Sequence, residues 1–185
     1  NLYYHLKVDP IKKAHASELN VGCFGAIRPM KNILTQAIAS IILTDRMNTK
    51  LRFHINATRV EGGNEVLRNL RALFVGRKHE LIEVPWLERI EMLKYISQLD
   101  IGLQVSLTES FNMVIADYVS MKIPVVVSSS IRWIRGKKPN VENPAEIADC
   151  MKFAISFPGE TLANYQDLQD HNFFAQRKCN KWIQS

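Results

Sequence analysis

The sequence predicts a doubly wound α/β fold, with a parallel sheet and helices on both faces. Two observations carry this. Short apolar runs alternate almost from end to end with longer segments whose apolar residues recur every three or four positions. Such alternation makes each helix a right-handed crossover between parallel strands. The chain has 185 residues, 46% hydrophobic and 23% charged, enough for one globular core without disulfide or metal staples.

Each element follows from its residues. Leu19 to Phe24 reads as a buried strand. From Lys31 to Leu43, the positions Ile33, Leu34, Ala37, Ile38, Ile41 and Ile42 fall on one helix face. Leu51, Phe53 and Ile55 alternate in a second strand, Lys50 to Ile55. Gly62-Gly63 breaks the chain before a helix carrying Val66, Leu67, Leu70, Leu73 and Phe74. His79 to Val84 is a third strand, and Leu87, Ile90, Leu93 and Ile96 mark the next helix. Ile101 to Val105 is the fourth strand. A helix after Ser110 leads to the fifth, Ile123 to Val127. Asn143-Pro144-Ala145-Glu146 has the residues of a capping box with proline at the first position. A last helix covers roughly Leu162 to Ile183. The whole chain, 1–185, is expected to be a single domain with its core at about 19–157 and a C-terminal helical stretch at about 160–183.

Cys23, Cys150 and Cys179 form no pair motif and no metal-ligand spacing, which fits reduced thiols inside a cell. No apolar run is long enough to span a bilayer, and the amphiphilic start Asn1-Leu2-Tyr3-Tyr4 is not a signal peptide. The net charge of +6, from 24 basic and 18 acidic side chains, suits a phosphate-bearing ligand, an anionic membrane surface or nucleic acid, and equally a solvated basic surface.

In the common doubly wound order the first and fourth strands are neighbours. The loops leaving them, Gly25 to Lys31 and Ser106 to Ser110, then face each other across a crevice. Both hold residues suited to a phosphate. Arg28 and Lys31 flank Pro29-Met30 and can neutralise a diphosphate. At the helix start after Ser110, the amides of Phe111, Asn112 and Met113 lack intrahelical acceptors and present partial positive charge, unless Ser110 caps them. Glu109 either supports the helix dipole or faces ligand hydroxyls. Asp117, two helical turns on, either marks the solvent edge or reaches a ribose.

Together these residues resemble the nucleotide-sugar-binding C-terminal domain of GT-B glycosyltransferases, especially the family-4 type. Phe24-Gly25-Ala26-Ile27-Arg28-Pro29-Met30-Lys31-Asn32 stands where that family has its first-strand glycine followed by an arginine and a lysine. Glu109 to Asp117, followed by Pro124-Val125-Val126, resembles the family's Glu-x7-Glu segment and its Pro-Val-Val. Asp117 replaces the second glutamate, and Asn32 and Lys122 stand where the family has glycine. The resemblance spans roughly Leu19 to Phe157 and implies a Rossmann-like half of a GT-B fold.

It also implies roles. Glu109 would hold the donor sugar's hydroxyls and Asp117 the ribose. Ser110, Phe111, Asn112 and Met113, with Lys31 and Arg28, would bind the diphosphate. Trp86, in Val84-Pro85-Trp86, would stack near the base, its other reading being a core tryptophan. The implied reaction is sugar transfer from a nucleotide-diphosphate donor, with retention and without a metal or other cofactor. An acceptor-binding N-terminal domain would be missing from this chain, leaving little transferase activity in the chain alone. The implied location is the cytoplasm, at the inner face of a membrane where peripheral contact is made. Alternatives are a non-catalytic nucleotide-sugar-binding or interaction module and a nucleotide-sugar epimerase of the same fold. Nucleic-acid binding rests only on net charge and on Arg132, Trp133, Arg135, Lys137 and Lys138, a run that equally suits an anionic membrane or a solvated loop.

Overall fold

The computed structural model describes residues 2–9 and 17–183, so Asn1 of the amphiphilic start lies outside the described residues. Five parallel strands, β1 (Glu18–Gly22), β2 (Lys50–Asn56), β3 (Glu80–Val84), β4 (Ile101–Gln104) and β5 (Val125–Val127), form one sheet in the order β3-β2-β1-β4-β5. The switch point lies between β1 and β4, where Val21 pairs with Ile101 and Gly22 with Gly102. Helices α1 (Ile33–Arg46), α2 (Asn64–Phe74) and α5 (Pro144–Ser156) cover one face. Helices α3 (Arg89–Ile96), α4 (Met113–Ser120) and α6 (Pro158–Ile183) cover the other. This is a Rossmann-like parallel α/β sheet flanked on both faces.

Strand alternation feeds two apolar clusters, one on each face. Val21, Phe53, Ile101, Leu103 and Val126 join the first, with Ala37, Leu70 and Met151 from the helices above. Val125 and Val127 join the second, with Phe24, Ile115, Tyr118 and Leu168. On that second face Tyr118, fully buried, lies across the two paired glycines of the switch point. A β-carbon on Gly102 would stand 2.6–2.7 Å from its ring, and one on Gly22 would stand 2.0 Å from its hydroxyl. Phe24 stacks on the same ring with planes 6° apart and centroids 6.2 Å apart.

Several boundaries differ from the sequence expectation. The first strand ends at Gly22, although Cys23 and Phe24 remain buried. Lys31 belongs to a short 3-10 turn, Pro29–Lys31, and α1 starts only after Asn32. Leu87 precedes α3, and α6 begins at Pro158, because a proline at the first helical position opens a helix as readily as it ends one. Asn143 caps α5 as expected, its side-chain oxygen accepting from the Ala145 and Glu146 amides. Asn32 (φ 54°) and Lys122 (φ 56°) both adopt left-handed backbone. Asparagine tolerates that region, whereas lysine there costs about 1 kcal/mol.

His54, buried under α3, lies within hydrogen-bond distance of the Tyr95 hydroxyl at Nδ1 (2.8 Å) and of Asn20 Oδ1 at Nε2 (3.2 Å). Burial, reinforced by nearby Arg52, pulls its pKa from 6.5 to about 4. Stability from this group is therefore complete above pH 6.5 and lost as pH falls through about 4. Urea unfolding from pH 7 to pH 4 should show a loss on the order of 3 kcal/mol that His54→Gln flattens.

Candidate functional site

The loop leaving β1 is held in place by backbone. Ile27 N donates to Arg59 O and Glu61 N to Ile27 O, both at 2.9 Å, forming an isolated parallel bridge between Ile27 and Val60. Gly63 must be glycine here, since a β-carbon would lie 2.4 Å from the Ile27 carbonyl oxygen. Gly25, at φ 117°, a backbone conformation that favours glycine, donates to Asn56 Oδ1 (3.0 Å). Leu107 N donates to Met30 O (3.0 Å), joining this loop to the one after β4. Asn32 reinforces the junction, donating from Nδ2 to Val105 O (3.1 Å) and Val141 O (2.8 Å).

The two loops bring Lys31 and Glu109 into direct contact. Their ion pair is largely sheltered, with 16% and 14% of the side chains exposed. Lys31 Nζ also donates to Gln104 Oε1 at 3.1 Å. Gln104, buried at the end of β4, is the hub of the site. Its Oε1 accepts from Lys31 and from Asn112 Nδ2 (3.1 Å), and its Nε2 donates to Phe24 O (2.6 Å). The amide thereby fixes the cation and the start of α4 relative to the switch point.

The start of α4 is a correction to the sequence expectation. Ser110 does not cap the helix. Asn112, at φ 59°, is the N-cap, and its side chain accepts from Ile115 N at 3.0 Å. The first-turn amides are therefore those of Met113 and Val114, two residues beyond Phe111. Ser110 is exposed, and the Phe111 carbonyl accepts from Trp133 Nε1 at 2.6 Å. An asparagine serving as a left-handed cap carries no signal that separates it from an ordinary first-turn residue.

Asp117 is buried and already engaged. The Tyr3 hydroxyl donates to its Oδ1 at 2.7 Å, and Arg89 Nη2 reaches the same oxygen at 3.3 Å. Burial raises the Asp117 pKa, and the bonds from Tyr3 and the charge of Arg89 partly offset this. Neither Tyr3 nor Arg89 was nominated by the sequence: Tyr3 lies 114 positions from Asp117, outside every motif. Trp86 is exposed (52%), not a core tryptophan, and the Arg59 guanidinium sits 4.8 Å above its ring. Arg28 is paired with Glu61 (2.5 Å), which also holds Arg59 (2.7 Å).

Three cavities line the carboxyl edge of the sheet in a row. The first, about 390 Å³, is bounded by Trp86, Arg89, Met113 and Asp117. It shares Gly25 and Trp86 with the second, about 370 Å³, which contains Arg28, Lys31 and Arg59. That cavity shares Thr108 and Glu109 with the third, about 830 Å³, which includes Ser110, Phe111 and Arg132. Every nominated residue except Asn112 thus lines one of the three, and Asn112 is bonded to Gln104.

Two of the four cations in the basic run after β5 are tied down. Arg135 pairs with Asp167 (2.5 Å) and Asp170 (2.7 Å), and Lys138 donates to Ile131 O (2.8 Å). Among the described residues there is no cluster of three or more histidine, cysteine or acidic side chains placed to hold a metal, and no helix long and apolar enough to cross a membrane.

No protein-family model matches the chain, and no curated protein matches its sequence. Solved structures do match its fold. The α,α-trehalose 6-phosphate synthase of Burkholderia multivorans superposes with a TM-score of 0.72 at 14% identity, over 90% of this chain and 42% of that one. The E. coli trehalose-6-phosphate structure bound with UDP-2-fluoro glucose gives 0.68 at 13% identity, over 89% and 44%. The UDP-forming α,α-trehalose-phosphate synthase of Burkholderia xenovorans gives 0.68 at 15%, over 84% and 40%. The chain thus spans less than half the length of each of these structures. At such identities the likeness shows architecture, and the architecture is that of one half of a GT-B fold.

Proposed function

We propose that this chain is the donor-binding half of a glycosyltransferase that uses a nucleotide-diphosphate sugar. The observation that carries the reading is the cavity row, with Lys31 between the carboxylates of Asp117 and Glu109. A nucleotide-diphosphate sugar has its ribose, its anionic centre and its sugar in that same order. Ribose would meet Asp117, with Trp86 available to the base. The diphosphate would meet Lys31, Arg28 and the Met113 and Val114 amides, and the sugar would meet Glu109. The fold's neighbours include a structure bound with UDP-2-fluoro glucose, which supports the ligand class.

In the free protein Lys31 is neutralised by Glu109. An arriving diphosphate offers Lys31 a stronger anion, and releasing Glu109 turns that carboxylate towards sugar hydroxyls. During transfer the bond from the anomeric carbon to the diphosphate oxygen breaks and a bond to the acceptor oxygen forms. The acceptor hydroxyl's proton leaves with the diphosphate or to solvent. Lys31, Arg28 and the helix amides stabilise the charge gathering on the leaving diphosphate, a preorganised electrostatic effect. Retention fits the neighbouring trehalose-6-phosphate synthase studied for glycosyltransfer with retention. The acceptor side would be completed by a second domain.

Calorimetric titration with UDP, GDP and ADP and with their sugar nucleotides tests the reading. At least one diphosphate should bind. Glu109→Gln should weaken the sugar nucleotide about tenfold more than the bare diphosphate, because only the sugar meets that side chain. Failure of every diphosphate to bind would sink the proposal.

A further inference from the structure

Asp117 sits on α4 among the apolar residues Ile115, Ala116 and Val119, with 11% of its side chain exposed. A carboxylate in such a place costs stability unless donors meet its oxygens. Here the two oxygens are treated unequally. Oδ1 takes the Tyr3 hydroxyl at 2.7 Å and Arg89 Nη2 at 3.3 Å, whereas no described residue donates to Oδ2. An ion pair that served only the core would satisfy both. Asp117 also lines the 390 Å³ cavity beside Trp86, so Oδ2 is the oxygen left for a ligand there. Tyr3, in turn, is held on several sides. Its backbone bonds Asn172 in both directions, at 2.9 and 3.0 Å. The Arg89 guanidinium lies 4.9 Å from its ring centroid and donates to the Tyr4 carbonyl at 2.8 Å. Ser120 Oγ stands 2.9 Å from the phenol oxygen, which can accept there while its own proton goes to Asp117. Buried in this way, the phenol has no room to swing off the carboxylate.

We propose that Tyr3 is a positioning residue for the nucleotide: its hydroxyl locks Oδ1 of Asp117 so that Oδ2 is presented to the ribose. The inference rests on the proposed donor reading. Aspartate has one rotatable bond fewer than glutamate, and the charge-assisted bond from Tyr3 removes most of the freedom that remains. The cost of ordering the carboxylate is then met on folding, before any ligand arrives. The neighbouring hydroxyls of a ribose offer two donors, and a carboxylate oxygen with free lone pairs is their complement. Tyr3 itself lines none of the three cavities, so it acts on a ligand only through Asp117.

Tyr3→Phe removes the hydroxyl alone, because the backbone bonds to Asn172 and the ring beneath Arg89 are kept. Calorimetric titration of the whole chain compares UDP, GDP and ADP with their 2′-deoxy and 3′-deoxy counterparts. The protein should prefer the diphosphate that binds over at least one of its deoxy forms by roughly tenfold. Tyr3→Phe should cut that preference to about threefold, weakening the ribose form and leaving the deoxy form unchanged. A residue that merely tethers the start of the chain would shift all forms equally or none. In Asp117→Asn the preference should vanish, and adding Tyr3→Phe should change it no further. Three results would overturn the inference while leaving the donor reading in place: no preference for ribose, a preference that Tyr3→Phe leaves intact, or equal weakening of every form. An effect of Tyr3→Phe on the preference that persists beside Asp117→Asn would overturn it too. If no diphosphate binds at all, the donor reading fails and takes this inference with it.

Discussion

Replacing Gly102 with valine should lower the unfolding free energy by about 3 kcal/mol or more, measured by urea denaturation. The added β-carbon would sit 2.6–2.7 Å from the Tyr118 ring. That ring cannot withdraw, being fully buried with Phe24 stacked on it. Gly22→Ala probes the same ring from the neighbouring strand, at its hydroxyl. The Tyr118 hydroxyl is buried without a hydrogen-bond partner among the described residues. Tyr118→Phe should therefore be neutral or stabilising by about 1 kcal/mol, and should reduce the penalty of Gly22→Ala when combined with it. Equal penalties in the two backgrounds would show that Tyr118 and Gly22 are not in contact.

Lys31→Ala should weaken every diphosphate that binds by roughly a hundredfold. Two effects add. The cation of the central cavity is removed, and Glu109 is left as a sheltered, uncompensated carboxylate beside the incoming anion. The second effect can be isolated. In the Lys31→Ala, Glu109→Gln double variant the repulsion is gone, so bare diphosphate should regain about tenfold relative to Lys31→Ala alone. Unchanged affinity in Lys31→Ala would place the anion elsewhere, with Arg59 and Arg28 the remaining cations of that cavity.

The sheet was legible because apolar alternation is local and each strand carries its own. Leu51, Phe53 and Ile55 do point into one cluster, and the Asn143 cap lies where its residues indicate. Lys31 and Glu109 were legible as charges on two loops that a doubly wound order brings together. The features that connect them were not. Gln104 reads as one polar residue at the end of an apolar strand, and only its buried amide contacts give it meaning. Asn112 hides the helix start because a left-handed cap leaves no periodic trace. Arg59 lies in the loop after β2, outside the two loops that the switch point singles out, yet it shares the Lys31 cavity.

Tyr3 joins the two ends of the chain. Its backbone N–H donates to Asn172 Oδ1 and its carbonyl accepts from Asn172 Nδ2, a contact 169 positions apart, while its hydroxyl holds Asp117. Contacts of that span form only after the intervening chain has collapsed, since the loop-closure entropy must first be met. During refolding, then, the Asp117 end of the site should mature after the sheet itself. A ligand that rests on Asp117 would sense that delay as a slow return of affinity trailing the recovery of helical structure.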